Sequence, residues 1–308
     1  TNTNQTLTLK ESISYPESTE SAVKLLFIGD IMLARSIGWQ IQNGNSPFNN
    51  VRDFFSNYDL VVANLETTIA RNYTGVQASK GYNFKAIPES AKSLKDAGID
   101  LVSLANNHTM DYGENALYET MNFLDEAKIG HFGAGASLEQ SYSPFLIQYK
   151  NINIGILGFN DVERWITDVN DYHGGNAYLD EAKVRSALKN AKDSVDILIV
   201  FPHWGEEYVF KANDTQKRWA KFFIDNGADL VIGSHPHVIQ DSEYYNGKYI
   251  YYSLGNFVFD GMSGIYGATK GAMLEVNITR QIAQSVKIES TKEYFVQIGW
   301  DGFPSIIN

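Results

Sequence analysis

The chain has 308 residues, 44% of them hydrophobic, and a formal net charge of -11. That size and apolar share suit an enzyme-sized folded body and exclude a disordered or fibrous chain. The acidic balance, without a cluster of Lys and Arg, excludes a phosphate-backbone binder, so no nucleic acid partner is expected.

Residues 1–22 are polar and rich in Ser, Thr and Glu, and they read as a flexible N-terminal linker. A single domain is expected over residues 23–308. The start at Thr1 fits a signal sequence or anchor removed upstream. The expected location is therefore the extracellular face of the cell membrane or secretion, with the cytoplasm also compatible. No apolar run approaches the ~18 residues of a membrane-spanning helix. From residue 24 a strand-then-helix rhythm sets in. It runs as strand 24–29, helix 31–41, strand 60–64, helix 88–97 opened by Pro88 and closed by Gly98, strand 101–105 and helix 114–127. It resumes with strand 152–159, helix 180–192, strand 197–201, helix 215–226 and strand 229–233. From Tyr244 the pattern turns to tyrosine-rich hairpin strands around an Asn246-Gly247 turn, and residues 272–298 alternate in the same way. Such alternation implies an α/β fold with mixed sheets inside, helices outside and a β-rich second half.

The apolar runs end in short polar motifs. LLFIGD ends at Asp30, LVVANLE at Asn64 and Glu66, LVSLANNH at Asn107 and His108, ILIVFPHWGE at His203 and Glu206, and LVIGSHPH at His235 and His237. In an open α/β sheet the strand C-termini share one edge, so these residues are expected to converge. Cysteine is absent, so any metal must be held by nitrogen and oxygen donors. Carboxylate, carboxamide and imidazole together suit one or two divalent cations.

Several of these residues have a second reading. Asp30, directly after a buried run, is either a paired or metal-bound carboxylate or the cap of a following helix. Asn106 and Asn107 are carbonyl donors or parts of an Asn-rich turn that caps a helix at Thr109. Of Asn64 and Glu66, one or both face the site. His131 and His173 lie outside the motifs and default to structural or loop roles. Residues 161–176 form either a lid over the site or an ordinary surface loop.

The ordered motifs GDIML, NLET, FKAIPE, AGIDLVSLANNHTMDYG, FPHWGEEY, GADLVIGSHPHVIQ and YSLGNFVFD, spread over residues 24–260, together resemble the bacterial capsule synthesis CapA/PgsA family associated with poly-γ-glutamate. That resemblance implies kinship with the calcineurin-like metallophosphoesterases and a four-layer α/β/β/α sandwich. It implies metal ligands among Asp30, Asn64 or Glu66, Asn107, His203, His235 and His237, with Mn, Zn or Fe as the expected ions. His108 takes the role of general acid to the leaving group. Lys85, Asn106 and Glu206 are candidates for contacting substrate, although Lys85 reads equally as a solvated lysine. Two departures stand out: Met32 occupies the place of an imidazole ligand, and Asn64 or Glu66 that of a bridging aspartate.

The expected substrate is an anionic polymer or a phosphoester. The expected role is capsule polymer handling at the cell surface beside membrane-bound synthetase components. A metal-dependent phosphoesterase or γ-glutamyl hydrolase not dedicated to capsule is the alternative.

Overall fold

The computed structural model describes residues 6–8, 20–71, 77–282 and 284–307. Most of the expected linker over residues 1–22 thus lies outside the described residues. Within it, Thr6–Thr8 forms a strand parallel to Phe145–Tyr149, and the first long strand already starts at Ser21.

The strand Ser21–Ile31 is almost wholly buried because its two faces enter different cores. Leu25 and Phe27 point into one cluster, Leu26 and Ile28 into another. The strand Ile197–His203 does the same: Ile197, Ile199 and Phe201 join Leu25 and Phe27, while Leu198 and Val200 face the opposite way. Burial on both faces explains why these strands read as continuous apolar runs. Phe27 and Phe201 meet edge to face, with ring centroids 5.9 Å apart, and join the two sheets across the shared core.

One sheet runs in the order Pro304–Ile307, Lys287–Ile298, Lys270–Arg280, Ser21–Ile31, Leu60–Leu65, Leu101–Ser103, Gly130–Phe132, and Asn256–Val258 also pairs with Ser21–Ile31. The other runs Thr6–Thr8, Phe145–Tyr149, Ile152–Asn160, Ile197–His203, Leu230–Ile232, Lys248–Tyr251, Ser242–Tyr245. In the first sheet the pairs from Ser21–Ile31 out to Gly130–Phe132 are parallel and those from Ser21–Ile31 out to Pro304–Ile307 are antiparallel; in the second, the pairs from Ile152–Asn160 to Lys248–Tyr251 are parallel, with an antiparallel pair on each side. Helices Arg35–Gln42, Glu89–Ala97 and Gly113–Glu126 cover the outer face of the first sheet, and Glu181–Lys192 and Asp214–Asp225 that of the second. This is the four-layer α/β/β/α sandwich with the β-rich C-terminal part.

Local chemistry sets several helix ends. Gly98 closes its helix at φ 90°, Asp180 accepts from Lys183 N, and Asn213 and Gln216 form a reciprocal capping box. Asn246 and Gly247, both at positive φ, make the expected hairpin turn. The clearest difference from expectation is at residues 31–34. The helix expected from residue 31 starts at Arg35, because Asp30 and Met32 instead donate backbone N–H groups to Gly255 O and Val258 O. Asp30 is thus a strand residue, and its reading as a helix cap falls away.

That pairing requires a close approach at Gly29, where a Cβ atom would sit 1.9 Å from Gly255 O. Gly29→Ala must push two backbones apart. It is expected to cost at least about 1–3 kcal/mol in urea unfolding, whereas an unchanged midpoint would show that the strands can separate freely.

Candidate metal centre

Register brings the motif residues level. Asp30 pairs with Asn64 and Asn64 with Ser103 in the first sheet. In the second, Asn160 pairs with His203, which bridges to Ser234. The SHPH turn then folds back over the strand ends, with His235 at φ 98° and His237 at φ 59°. Left-handed backbone at two non-glycine residues costs on the order of 1–3 kcal/mol each. Contacts hold the turn in place: Ser234 N donates to Pro202 O at 2.9 Å and His235 N to Asp30 Oδ2 at 3.3 Å.

Glu66 lies at the centre. It is 0% exposed, and neither carboxylate oxygen has a hydrogen-bond partner. Its Oε1 lies 3.7 Å from His108 Nε2, 3.7 Å from His237 Nε2 and 3.8 Å from His203 Nε2. Potential ligand atoms of Glu66, His235 and His237 fall within 4.8 Å of one another, as do those of Asp30, Glu66 and His203. These gaps exceed a hydrogen bond but match ligand atoms sharing one ion through bonds of about 2.0–2.2 Å. A buried carboxylate without a donor is costly alone, so the residues present fit a divalent cation.

Amides hold the ligands in place. Asn64 does not join Glu66; its Nδ2 donates to Asp30 Oδ1 at 2.8 Å and lies 3.2 Å from His203 Nδ1, while its Oδ1 accepts from Asn106 Nδ2 at 3.0 Å. Asn106 Oδ1 accepts from the His108 backbone N at 3.0 Å, so this residue orients the loop from within. Asn107 Oδ1 sits 2.9 Å from His203 Nε2, facing the cluster. His203 Nε2 is also 3.1 Å from His235 Nδ1.

Two expected substrate contacts are not brought in. Lys85 is flanked by buried Phe84 and Ala86, so alternation along its short strand turns it to solvent, with its ammonium 5.5 Å over the Tyr112 ring. Glu206 is exposed on the turn after His203, and of this adjacent pair it is Glu207 whose charge adds to those acting on Glu66 and His237.

Other site residues carry no strand-end signal. Asp111 Oδ2 lies 2.7 Å from His108 Nδ1; a carboxylate accepts, so Nδ1 carries the proton and Nε2 faces Glu66. Three residues after His108 in the NNHTMD motif, Asp111 was legible as its partner. Asn256 Nδ2 donates to His237 O and Ala268 O, which leaves its Oδ1 to accept from His237 Nδ1 at 2.9 Å. The Phe84 ring stacks on His108 at 4.2 Å and Tyr208 lies 5.9 Å from His237, walling the site. Lys80, contributed by a loop, touches His108 and Asp111. His131 is buried beside Asp125, and His173 lies in the 161–176 loop.

Burial pushes the Glu66 carboxyl well up, opposed by the nearby His237 imidazole. Burial pushes His203 and His235 well down, and their neighbouring imidazoles add to it, so both stay neutral at pH 7 and fit for ligation. For His237, burial pushes down, but the Glu66 and Asp30 carboxylates outweigh it and raise the group to about 9. Burial also lowers His108, against the pull of Asp111.

The description "Bacterial capsule synthesis protein PGA_cap" belongs to the family model that matches residues 24–261. The chain is 34% identical over 245 residues to the PGA biosynthesis protein CapA of Bacillus subtilis (strain 168), covering 79% of this chain and 64% of that protein. It is 32% identical over 249 residues to the capsule biosynthesis protein CapA of Bacillus anthracis, covering 77% of this chain and 59% of that one. The chain thus spans somewhat under two thirds of these relatives' length. Among solved structures, the calcineurin-like phosphoesterase YfkN from Bacillus subtilis superposes with a TM-score of 0.51 at 13% identity, covering 90% of this chain and 91% of that one. A putative 5'-nucleotidase from Staphylococcus aureus gives 0.54 at 12% identity, covering 94% of this chain and 55% of that one. At such identities the likeness concerns the fold, which is of the metallophosphoesterase type. With the family model spanning most of its length, the chain belongs to the bacterial capsule synthesis protein family PGA_cap.

Proposed function

We propose that this chain acts on or handles the poly-γ-glutamate capsule polymer at the cell surface, as a metal-dependent hydrolase whose Glu66 cluster holds one or two divalent ions. Mn, Zn and Fe suit the all-nitrogen-and-oxygen donor set. The observation that carries the reading is the buried Glu66 carboxylate, unpartnered yet faced by three imidazole nitrogens. Membrane-bound synthetase components are the partners this reading implies.

A cation bound there would supply Lewis acidity and a water of lowered pKa. The chain's own residues do the rest. Asp30, Glu66, His203, His235 and His237 would hold it, with the Asn107 amide beside His203 Nε2. Asn64 fixes Asp30 beside His203, and Asn256 keeps His237 Nε2 turned inward. His108, with Nδ1–H held by Asp111, presents Nε2 for proton transfer to a leaving group. Phe84 and Tyr208 exclude water from two sides. The same groups would serve a metal-dependent phosphoesterase or γ-glutamyl hydrolase not dedicated to capsule. The metallophosphoesterase-type fold supports that second reading.

The deciding measurement is metal content by mass spectrometry after purification without chelator and after loading with Mn, Zn, Fe or Ca. About one or two equivalents, with hydrolysis of phosphoesters or γ-glutamyl polymers, are expected. No retained metal would leave a noncatalytic polymer-handling role. Glu66→Ala should lose the metal and with it the stabilisation of about 2.7 kcal/mol that a ligand gives at a hundred times its Kd. His108→Gln should keep the metal while kcat on any hydrolysed substrate falls by about 10²–10⁴-fold.

Ligation also has a definite pH dependence. In metal-free protein His237 is protonated at pH 7, because its pKa lies at about 9. Ligation requires the neutral ring, so binding releases that proton, and its contribution to affinity rises by about tenfold per pH unit up to about pH 9. Calorimetric titrations in buffers of different ionisation enthalpy would count the protons released, and a count of zero at pH 7 would contradict this assignment.

A further inference from the structure

Lys80 is the least expected charge at the site. Its side chain is 4% exposed, and its ammonium donates to Asn107 O at 2.6 Å and to Glu163 Oε2 at 2.9 Å. It also lies 2.7 Å from Asp111 Oδ1, as an ion pair. Two carboxylates therefore share one ammonium. They are not equivalent. Asp111 is 0% exposed and committed, because Oδ2 also accepts from the Phe84 backbone N at 2.6 Å and holds His108.

Glu163 comes from the 161–176 loop with its side chain 27% exposed, and among the described residues its carboxylate hydrogen-bonds only to Lys80. Its backbone sits in the left-handed region, φ 51° and ψ 46°, which costs a non-glycine residue on the order of 1 kcal/mol. The loop does not need Glu163 to stay down. Asn160 Nδ2 donates to Val162 O, Gly174 N to Glu114 Oε1, and Asn176 Nδ2 to Asn106 O.

We infer that Lys80 is the substrate's oxyanion-recognition residue and that Glu163 is an internal stand-in, displaced when an anionic group of the substrate takes its place on the ammonium. Position supports this. Lys80 Nζ lies 3.3 Å from His108 Nδ1, so one imidazole ring separates it from the face of Glu66. An oxyanion there lies beside the proton-transferring histidine. Asp111 stays in place and keeps His108 oriented throughout. The same geometry resolves a difficulty of charge. The chain is acidic overall, at -11, yet the proposed substrates are anionic, so recognition needs local positive charge, and Lys80, kept paired until substrate arrives, supplies it beside the proposed ions. The inference rests on the reading that the cluster processes an anionic substrate. It adds which residue selects that substrate and which one competes with it. The oxyanion chemistry is common to a phosphate group and to the free carboxylate of a γ-linked glutamyl unit.

The test is equilibrium titration of the metal-loaded chain with two probes, inorganic phosphate and γ-linked tetraglutamate. Wild type is compared with Glu163→Gln, Glu163→Ala and Lys80→Met. Removing the competitor should tighten binding by about three- to tenfold in both Glu163 variants, and Lys80→Met should weaken it by about tenfold or more. The probe that responds identifies the source of the oxyanion. Unchanged or weaker binding in Glu163→Gln would overturn the inference, because a purely structural clamp loses affinity when loosened, and so would the absence of binding to either probe in every variant. Because Glu163 is partly exposed and its loop is tied down elsewhere, the outcome does not depend on whether Lys80→Met folds. Metal content measured on the same samples separates the two claims. A chain that retains no metal sinks the hydrolase reading, while the order of affinities still decides the role of Lys80.

Discussion

A buried carboxylate with nothing to donate to it is the constraint around which this molecule is arranged. Glu66 occupies a position where an unpaired negative charge is expensive, and three imidazole nitrogens stop just beyond hydrogen-bonding distance. No rearrangement within the cluster satisfies it cheaply, because each neighbour is already committed. Asp30 is held by Asn64, His108 by Asp111, and His237 by Asn256. Committed neighbours around an uncommitted centre are what preorganised ligation requires, since bound amides fix ring tautomers and directions before any ion arrives.

The departures from the phosphoesterase pattern fall into place around that centre. Met32 stands where a related site has an imidazole, and it is fully buried in the helix-side core, with its backbone N–H given to Val258 O. Of the two residues that the sequence offered for the place of a bridging carboxylate, Asn64 turns its amide to Asp30. Glu66, two residues on, supplies the buried carboxylate at the centre. Spacing of two along an extended segment keeps the same face, so either position is compatible with an unchanged sheet.

Much of this was legible in the sequence, for a physical reason. Strands buried on both faces leave long apolar runs, and whatever follows them must lie at a sheet edge; that is how Asp30, Asn107, His203, His235 and His237 could be named together. What could not be read is what arrives by loop closure or by pairing of distant segments. Lys80 and Glu163 are 83 residues apart and meet only because both loops fold over the same edge. The delayed helix start at Arg35 follows from pairing with Asn256–Val258, more than two hundred residues away, which local propensity cannot register. For Lys85 the sequence left a substrate contact and a solvated lysine both open, since a two-residue strand gives too short a pattern to fix which face is inward.

The division of ligands between the sheets has a further consequence. Asp30 and Glu66 belong to the first sheet, whereas His203, His235 and His237 follow strands of the second. Neither sheet alone presents a complete set of donors, so the centre comes into being only when the two apolar faces have closed on each other through contacts such as Phe27 with Phe201. An ion held there would act as a rivet between halves rather than as a nucleus for either. It would be absent from the folding transition state and would express itself chiefly as slower unfolding, giving the folded chain kinetic persistence.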